Sequence, residues 1–330
     1  MRTLAGKRIL FIAPAFFGYE NKIADKMREL GAVVDSYDER SITKSYERAL
    51  LKISPSFFSL KTTKYYNNII NKNRNKIYDY VFVIKCDMLS VSIIHKLRDT
   101  YPNAVFCLYL YDSIRNIKGI KNKIKEFDRV LTFDLNDAIV YNMQFRPLFY
   151  LDCYMKEIKD VYEYKYDISF IGTIHSDRYN IIKNVKQFLD DSKMKYYFYC
   201  YLHSKFSYFF YKIIKKEFRN SAVENFKFQK ISSLEISKII DDTRIVLDIQ
   251  HPKQSGLTIR TIEMLGMNKK LITTNQNIKE YDFYNPENIL IIDRENIVIS
   301  SDFLTSSYQI IADDIYKKYS IEQWIDDILG

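Results

Sequence analysis

The sequence predicts an α/β fold of two consecutive domains, each an open, doubly wound sheet of parallel strands with helical crossovers. Three observations predict it. Strand-like apolar runs alternate with helix-like stretches along most of the chain. The alternation stops at Pro147 to Tyr166, an apolar then strongly polar stretch with little periodicity, and afterwards begins again. The length, 330 residues, fits two domains at roughly 100–200 residues each. The domains are expected at 1–150 and 151–330.

The first domain opens with a strand at Gly6 to Ala13. Lys7-Arg8 before Ile9 to Ile12 resembles an export leader only weakly, and Pro14 interrupts the short apolar run. A helix follows at Asn21 to Leu30, stopped by Gly31, and a strand at Ala32 to Asp35. Residues 43–76 are polar and helical in pattern. Strands are then expected at Tyr78 to Ile84, Ala104 to Leu110 and Arg129 to Phe133. Helices lie between and after them, at Val91 to Leu97, Ile117 to Phe127 and Asp137 to Asn142.

The second domain begins with a strand at Asp167 to Ile171, a loop at Gly172 to Ser176 and a helix at Asp177 to Leu189. Strands follow at Lys195 to Tyr201, Arg244 to Ile249, Lys270 to Thr274 and Ile289 to Ile292. Helices are expected at Ser233 to Ile240, Leu257 to Leu265 and Ser307 to Tyr319. The closing helix, Ile321 to Leu329, either completes the second domain or packs back on the first.

Composition removes whole classes of function. With glycine only at 6, 18, 31, 119, 172, 256, 266 and 330, no G-x-G-x-x-G fingerprint, P-loop or kinase glycine loop can be written. Cys86, Cys107, Cys153 and Cys200 form no C-x-x-C, so they read as reduced, mostly packing residues of a cytoplasmic protein. His95, His175, His203 and His251 show no metal-ligand spacing. No D-x-D occurs, the nearest approach being Asp293-Arg294-Glu295, and no G-x-S-x-G elbow. No run approaches the roughly 18 apolar residues that span a bilayer. The net charge of +9 favours anionic partners.

Ligands of doubly wound sheets sit outside the carboxyl ends of the strands, so the loops there carry the candidates. The stretch Asp248 to Gly266 runs from strand through polar loop to a helix start near Ser255-Gly256. Free N–H groups at a helix start attract phosphate, and Gly256 lets a ligand approach the backbone. Arg260 and Glu263 share one side of that helix, fit for a diphosphate and for two ribose hydroxyls. The same spacing also suits a capped helix with one surface ion pair. In the stretch Asp167 to Arg178, Gly172 and Thr173 end a strand, and Ser176 or Asp177 caps the next helix. His175 reads as a contact to phosphate or to the reacting sugar, or as a plain loop residue. Asp112, at the end of a strand of the first domain, reads as a general base or as a helix-capping carboxylate.

Tyr196 to Tyr211 holds ten of the chain's 28 Tyr and 22 Phe, followed by Lys212, Lys215, Lys216 and Arg219. Residues 196–219 therefore suit a membrane interface, a single-stranded nucleic acid, or a buried strand followed by an aromatic helix packed on the core.

Gly256, Arg260 and Glu263, with Phe170 to Thr173 upstream, resemble the CgeB-like and related GT-B glycosyltransferases. More narrowly, the chain is similar to the bacterial group of lipopolysaccharide or capsule biosynthesis proteins. That likeness rests on Tyr111 to Ile114, on Phe127 to Arg129 with Phe133-Asp134, and on Pro147 to Tyr150. It rests further on Ile171 to Thr173 with His175 to Tyr179, and on His251 to Thr258 with Arg260 to Glu263. It spans most of residues 105–285, and the first hundred residues share only α/β character.

The resemblance implies two Rossmann-like domains facing a cleft, the first for the acceptor and the second for a nucleotide-sugar. It implies donor contacts at Gly172, Thr173, Arg178, His251, Lys253, Ser255, Gly256, Leu257, Thr258, Arg260 and Glu263. Asp112 and His175 remain as catalytic candidates. It further implies a hexosyltransferase-type enzyme that uses a nucleotide-sugar as co-substrate, with no cofactor and no metal. The acceptor would be a lipid-linked saccharide, and the setting cytoplasmic or peripheral on the inner face of the plasma membrane, with no nucleic-acid partner. The chain lacks the E-x7-E pair of larger retaining families, which leaves the stereochemistry open. A polyol-phosphate transferase of the same architecture, and a non-catalytic nucleotide- or lipid-binding partner of an assembly complex, are the alternatives.

Overall fold

The computed structural model describes residues 4–40, 59–158, 164–252 and 254–330. The chain divides into two compact units, Met1–Leu148 with Ile321–Gly330, and Phe149–Ser320.

The first unit is built on β1 (Arg8–Ala13), β2 (Val33–Asp38), β3 (Tyr80–Ile84), β4 (Val105–Leu110), β5 (Arg129–Thr132) and β6 (Gln144–Phe145). All pairs are parallel, in the order β2-β1-β3-β4-β5-β6. A parallel sheet is covered on both faces, which is why β1 and β4 read as unbroken apolar runs buried along their length. Helix α1 (Tyr19–Glu29) turns Tyr19, Ile23, Ala24 and Met27 inward. The described residues next include α2 (Ser59–Asn73), while the earlier part of the predicted 43–76 helix lies outside them. Helix α3 (Val91–Thr100) starts at Ser90, whose hydroxyl accepts from the Ile93 amide at 3.3 Å.

The helix predicted at Ile117 to Phe127 is replaced by short 3-10 turns at Ile114–Asn116, Ile120–Asn122 and Ile124–Glu126. The isoleucines have helical spacing, but Gly119 sits at φ 71° and breaks the run. Helix α4 (Leu135–Tyr141) begins at Asp134, whose carboxylate accepts from the Asn136 and Asp137 amides.

The second unit carries β7 (Tyr166–Thr173), β8 (Tyr196–Tyr201), β9 (Thr243–Asp248), β10 (Lys270–Thr273) and β11 (Ile289–Ile291). They too are all parallel, in the order β11-β10-β9-β7-β8. The helices are α5 (Arg178–Asp191), α6 (Lys205–Ile214), α7 (Ser233–Asp241), α8 (Ile259–Gly266), α9 (Ser301–Thr305) and α10 (Asp313–Lys318). The single helix predicted at Ser307 to Tyr319 is thus only its last turns, after a separate α9 capped by Ser300.

The last helix, α11 (Ile321–Leu329), belongs to the first unit. Its buried residues Ile321, Trp324, Ile325, Ile328 and Leu329 repeat at helical spacing. Trp324 packs edge-on against Tyr109 at 4.8 Å, and Asp327 pairs with the buried Arg146 at 2.6 Å. Cys86, Cys107 and Cys200 are buried and Cys153 is exposed, all as free thiols. Among the described residues no helix is long and apolar enough to cross a membrane.

Candidate functional site

In each sheet the chain steps first to one side and then to the other, which creates a switch point between β1 and β3 and another between β7 and β9. Loops part there, and the carboxyl ends of the strands are open to a ligand.

In the second unit the loop after β9 is heavily tied down. Asp248 accepts from the Thr258 hydroxyl at 2.5 Å and the Thr261 hydroxyl at 2.9 Å. Thr258 in turn accepts from the Thr261 amide at 3.2 Å. Helix α8 therefore starts after Thr258, rather than near Ser255-Gly256 as its sequence suggests. Ser255, Gly256 and Leu257 belong to the preceding loop, where Asn275 donates to the Ser255 and Gly256 carbonyls and Asn277 to Ser255. Lys253 lies outside the described residues.

Arg260 and Glu263 form the pair their spacing allows, at 2.6 Å, but it is not a surface pair. Glu263 is 2% exposed, and the Tyr154 hydroxyl bonds to it as well. Burial and the Glu263 charge together hold the Tyr154 phenol well above its usual range.

The loop after β7 lies beside the loop after β9. The rings of His175 and His251 stack at 5.4 Å. Burial lowers the His175 pKa to about 4, helped by the charge of Arg178. The imidazole is therefore neutral at pH 7 and a weak base there. Ser176, at φ 51°, turns the chain into α5 through left-handed backbone, a costly conformation that only a well-determined loop retains. Gly172 packs closely: a Cβ there would come 2.8 Å from the tip of the Phe170 ring, which would have to shift. Arg178 donates to the Thr173 carbonyl at 3.0 Å. Its buried Nε finds no acceptor among the described residues, which buried donors seldom tolerate.

Asp177 stands at the N-cap position of α5 without capping it. Its carboxylate takes Arg294 instead, at 2.7 and 2.9 Å. Arg294 also donates to the Gln250 carbonyl at 2.9 Å and the Thr274 hydroxyl at 3.2 Å. One guanidinium so fastens the loops after β7, β9 and β10. In the sequence this residue is named only within Asp293-Arg294-Glu295, as the nearest approach to a D-x-D, and without a role; its signal was a cation just past the end of a short strand. Lys215 adds a further cation by donating to the Ser176 carbonyl. Gly172, Thr173, His175, Arg178 and His251 thus gather around one switch point with Arg294, while Arg260 stands in the first turn of α8 and Glu263 in the second.

At the switch point of the first unit a cavity of about 100 Å³ is lined by Phe16, Tyr19, Lys85, Tyr111 and Asp112, among others. Asp112 accepts from the Ser113 amide at 3.0 Å and the Asn116 side chain at 2.8 Å, and pairs with Lys85 at 3.4 Å. Lys85 is the centre of a γ-turn, with the Cys86 amide donating to the Ile84 carbonyl at 3.0 Å. Lys85 and Cys86 both have positive φ, 75° and 60°, a strain of the kind that collects at binding sites. Beneath the turn Glu39 is fully buried and accepts from the Met88 amide at 2.6 Å. Burial raises the pKa of its carboxyl to about 7. Among the described residues no group of three or more His, Cys, Asp or Glu is placed to hold a metal ion.

No protein-family model and no curated protein matches the sequence. Solved structures do match in fold over almost the whole chain. Anabaena HepE in complex with UDP-glucose superposes with a TM-score of 0.59 at 9% identity, covering 97% of this chain and 98% of that one. Methanocaldococcus jannaschii UDP-GlcNAc 2-epimerase gives 0.55 at 8% identity, covering 97% and 99%. The lipopolysaccharide outer core galactosyltransferase WaaB gives 0.52 at 11% identity, covering 98% and 99%. Likeness at such identities concerns the fold: the chain consists of two Rossmann-like parallel-sheet domains of the GT-B type.

Proposed function

We propose that the chain is a glycosyltransferase of surface-polysaccharide assembly, related to the CgeB-like group, which moves a hexosyl residue from a nucleotide-sugar to a hydroxyl of a lipid-linked saccharide. The observation that carries this reading is the cationic cluster at the β7/β9 switch point. Arg178, Lys215 and Arg294 meet there beside the stacked rings of His175 and His251, and the buried Arg178 Nε points to a missing acceptor. A diphosphate supplies such acceptors. Same-fold HepE holding UDP-glucose supports it.

In this reading the donor lies along Gly172, Thr173, Arg178, His251, the 254–258 loop and Arg260, and Glu263 orients Arg260. The acceptor hydroxyl attacks the anomeric carbon, the bond to the diphosphate breaks, and Asp112 takes the hydroxyl proton. The nucleoside diphosphate leaves with its charge met by Arg178, Arg294 and Arg260, so no metal is needed. His175 contributes a hydrogen bond rather than a base.

The test is thermal stabilisation by a panel of nucleoside diphosphates and nucleotide-sugars, followed by product analysis with saccharide acceptors. One diphosphate at 100 times its dissociation constant should add about 2.7 kcal/mol. Turnover should yield a glycoside and free nucleoside diphosphate. Isomerised donor with no acceptor consumed would replace this reading with an epimerase, and release of a nucleoside monophosphate with a phosphopolyol product would replace it with a polyol-phosphate transferase. Absence of any nucleotide effect would leave a non-catalytic partner.

A further inference from the structure

We infer that helix α6 is a docking face for an anionic phospholipid surface. The inference goes beyond the transferase reading and does not rest on it. Helix α6 presents its apolar stripe outward. Phe206, Phe209, Phe210, Ile213 and Ile214 are 79, 56, 50, 75 and 55% exposed. Their spacing, i, i+3, i+4, i+7 and i+8, gathers them on one face. Single exposed apolar residues are ordinary on proteins, but a contiguous stripe marks a surface that something covers. The stripe is not a fraying end. Ser204 caps the helix, accepting from the Ser207 amide at 3.1 Å. On the opposite face Tyr208 is buried, donating to the Ser221 carbonyl at 2.8 Å and packing on Phe226 at 5.3 Å. Tyr211 meets Phe218 at 5.3 Å. The inner face holds the helix on its unit, so the outer ridge is preformed.

Charge selects the occupant. Lys205 at one end of the helix and Lys216 and Arg219 just past the other are exposed, and α6 itself contains no acid. Apolar residues flanked by cations match acyl chains beneath anionic head groups. A second copy of the chain would instead bring two cation-flanked stripes together, within a protein of net charge +9. At ten residues the helix lies in the interface and does not span it.

The test is flotation with vesicles of phosphatidylcholine alone and of phosphatidylcholine mixed with phosphatidylserine. The wild type should bind the mixed vesicles, more weakly as salt is added. Phe206→Ser/Phe209→Ser/Ile213→Ser should lower the partition coefficient by about 100-fold or more. Lys205→Gln and Lys216→Gln should each lower it by about fivefold. All these side chains are exposed, so melting temperature and nucleotide stabilisation should not move. The inference is overturned by a wild type that ignores mixed vesicles, by a triple variant that binds them as well as the wild type, or by equal binding to phosphatidylcholine alone. It is overturned too by a dimer, lost in the triple variant, in a protein that does not float. Vesicle binding without nucleotide binding would keep this inference and sink the transferase reading, and the reverse would do the opposite.

Discussion

The two switch points share one topology, β2-β1-β3 in one sheet and β8-β7-β9 in the other, and differ in what stands there. The first is charge-balanced, with Arg40 and Lys85 against Glu20 and Asp112, and walled by Phe16, Tyr19 and Tyr111. The second holds Arg178, Lys215 and Arg294 against Asp177, Glu217 and Asp248, and all three acids are already engaged, Asp177 by Arg294, Glu217 by Lys215 at 3.8 Å, and Asp248 by Thr258 with Thr261. Topology decides where a ligand can sit, and side chains decide which ligand. Aromatic walls and a balanced field suit a sugar with hydroxyls. A buried guanidinium N–H that lacks an acceptor among the described residues, as at Arg178, suits a diphosphate.

The largest expected effect separates the two sites. Asp112→Asn should lower turnover by about 10²–10⁴-fold, the usual contribution of a general base. Nucleotide stabilisation should survive intact, because Asp112 belongs to the first unit. Loss of nucleotide binding in this variant would break the division between a donor unit and an acceptor unit.

Glu263→Ala comes next. It leaves Arg260 half-buried beside an empty place, and breaking a buried pair costs about 3–5 kcal/mol of stability. Glu263→Gln should cost less, since the amide oxygen still accepts. Urea denaturation of both variants measures this. A cost below about 1 kcal/mol together with lost nucleotide binding would show Glu263 to be a ligand for the ribose itself, as the family resemblance implies, rather than the support of Arg260.

Arg294→Ala should weaken nucleotide binding by about 10–100-fold, the range of one or two charge-assisted hydrogen bonds. Arg294→Lys should recover little of it, because an ammonium cannot hold Asp177, Gln250 and Thr274 in one plane. Calorimetric titration with the stabilising nucleotide reads both variants.

The sequence showed the sheets well and the site in part, for physical reasons. Strands such as Val105–Leu110 are buried on both faces, so their apolar runs are continuous and easy to read. The stretch from Ile114 to Glu126 has helical spacing, but backbone at Gly119 overrides it, and spacing alone carries no dihedral angle. The loops bearing His175 and His251 were legible because strand, turn and helix follow each other locally. The role of Arg294 was not, because it exists only where three loops from separate strands meet. Glu39 was invisible likewise: the amide that bonds to its buried carboxyl is that of Met88, 49 residues along the chain. The aromatic segment was read as a candidate surface or a core helix, and only the orientation of α6 decides which face points outward.

The smallest effect sharpens the comparison through pH. The folded pKa of Glu39, about 7, lies above its ordinary 4.5, so its contribution to stability is complete below pH 4.5 and is lost as pH rises through 7. That of His175, about 4, lies below the ordinary 6.5, so its contribution is complete above pH 6.5 and is lost as pH falls through 4. Between pH 4.5 and 6.5 the two units should therefore respond in opposite directions. Each slope is bounded by about 1.4 kcal/mol per pH unit, and the half-exposed His175 falls well short of that bound through solvent screening. Hydrogen exchange across that window should show protection falling with pH around β3 and α3, and rising around β7 and α5. Glu39→Gln should flatten the first trend alone and His175→Gln the second alone. If one substitution flattens both trends, the units unfold as a single cooperative body and the two switch points share one stability. If neither does, burial at these two residues does not set the pH response.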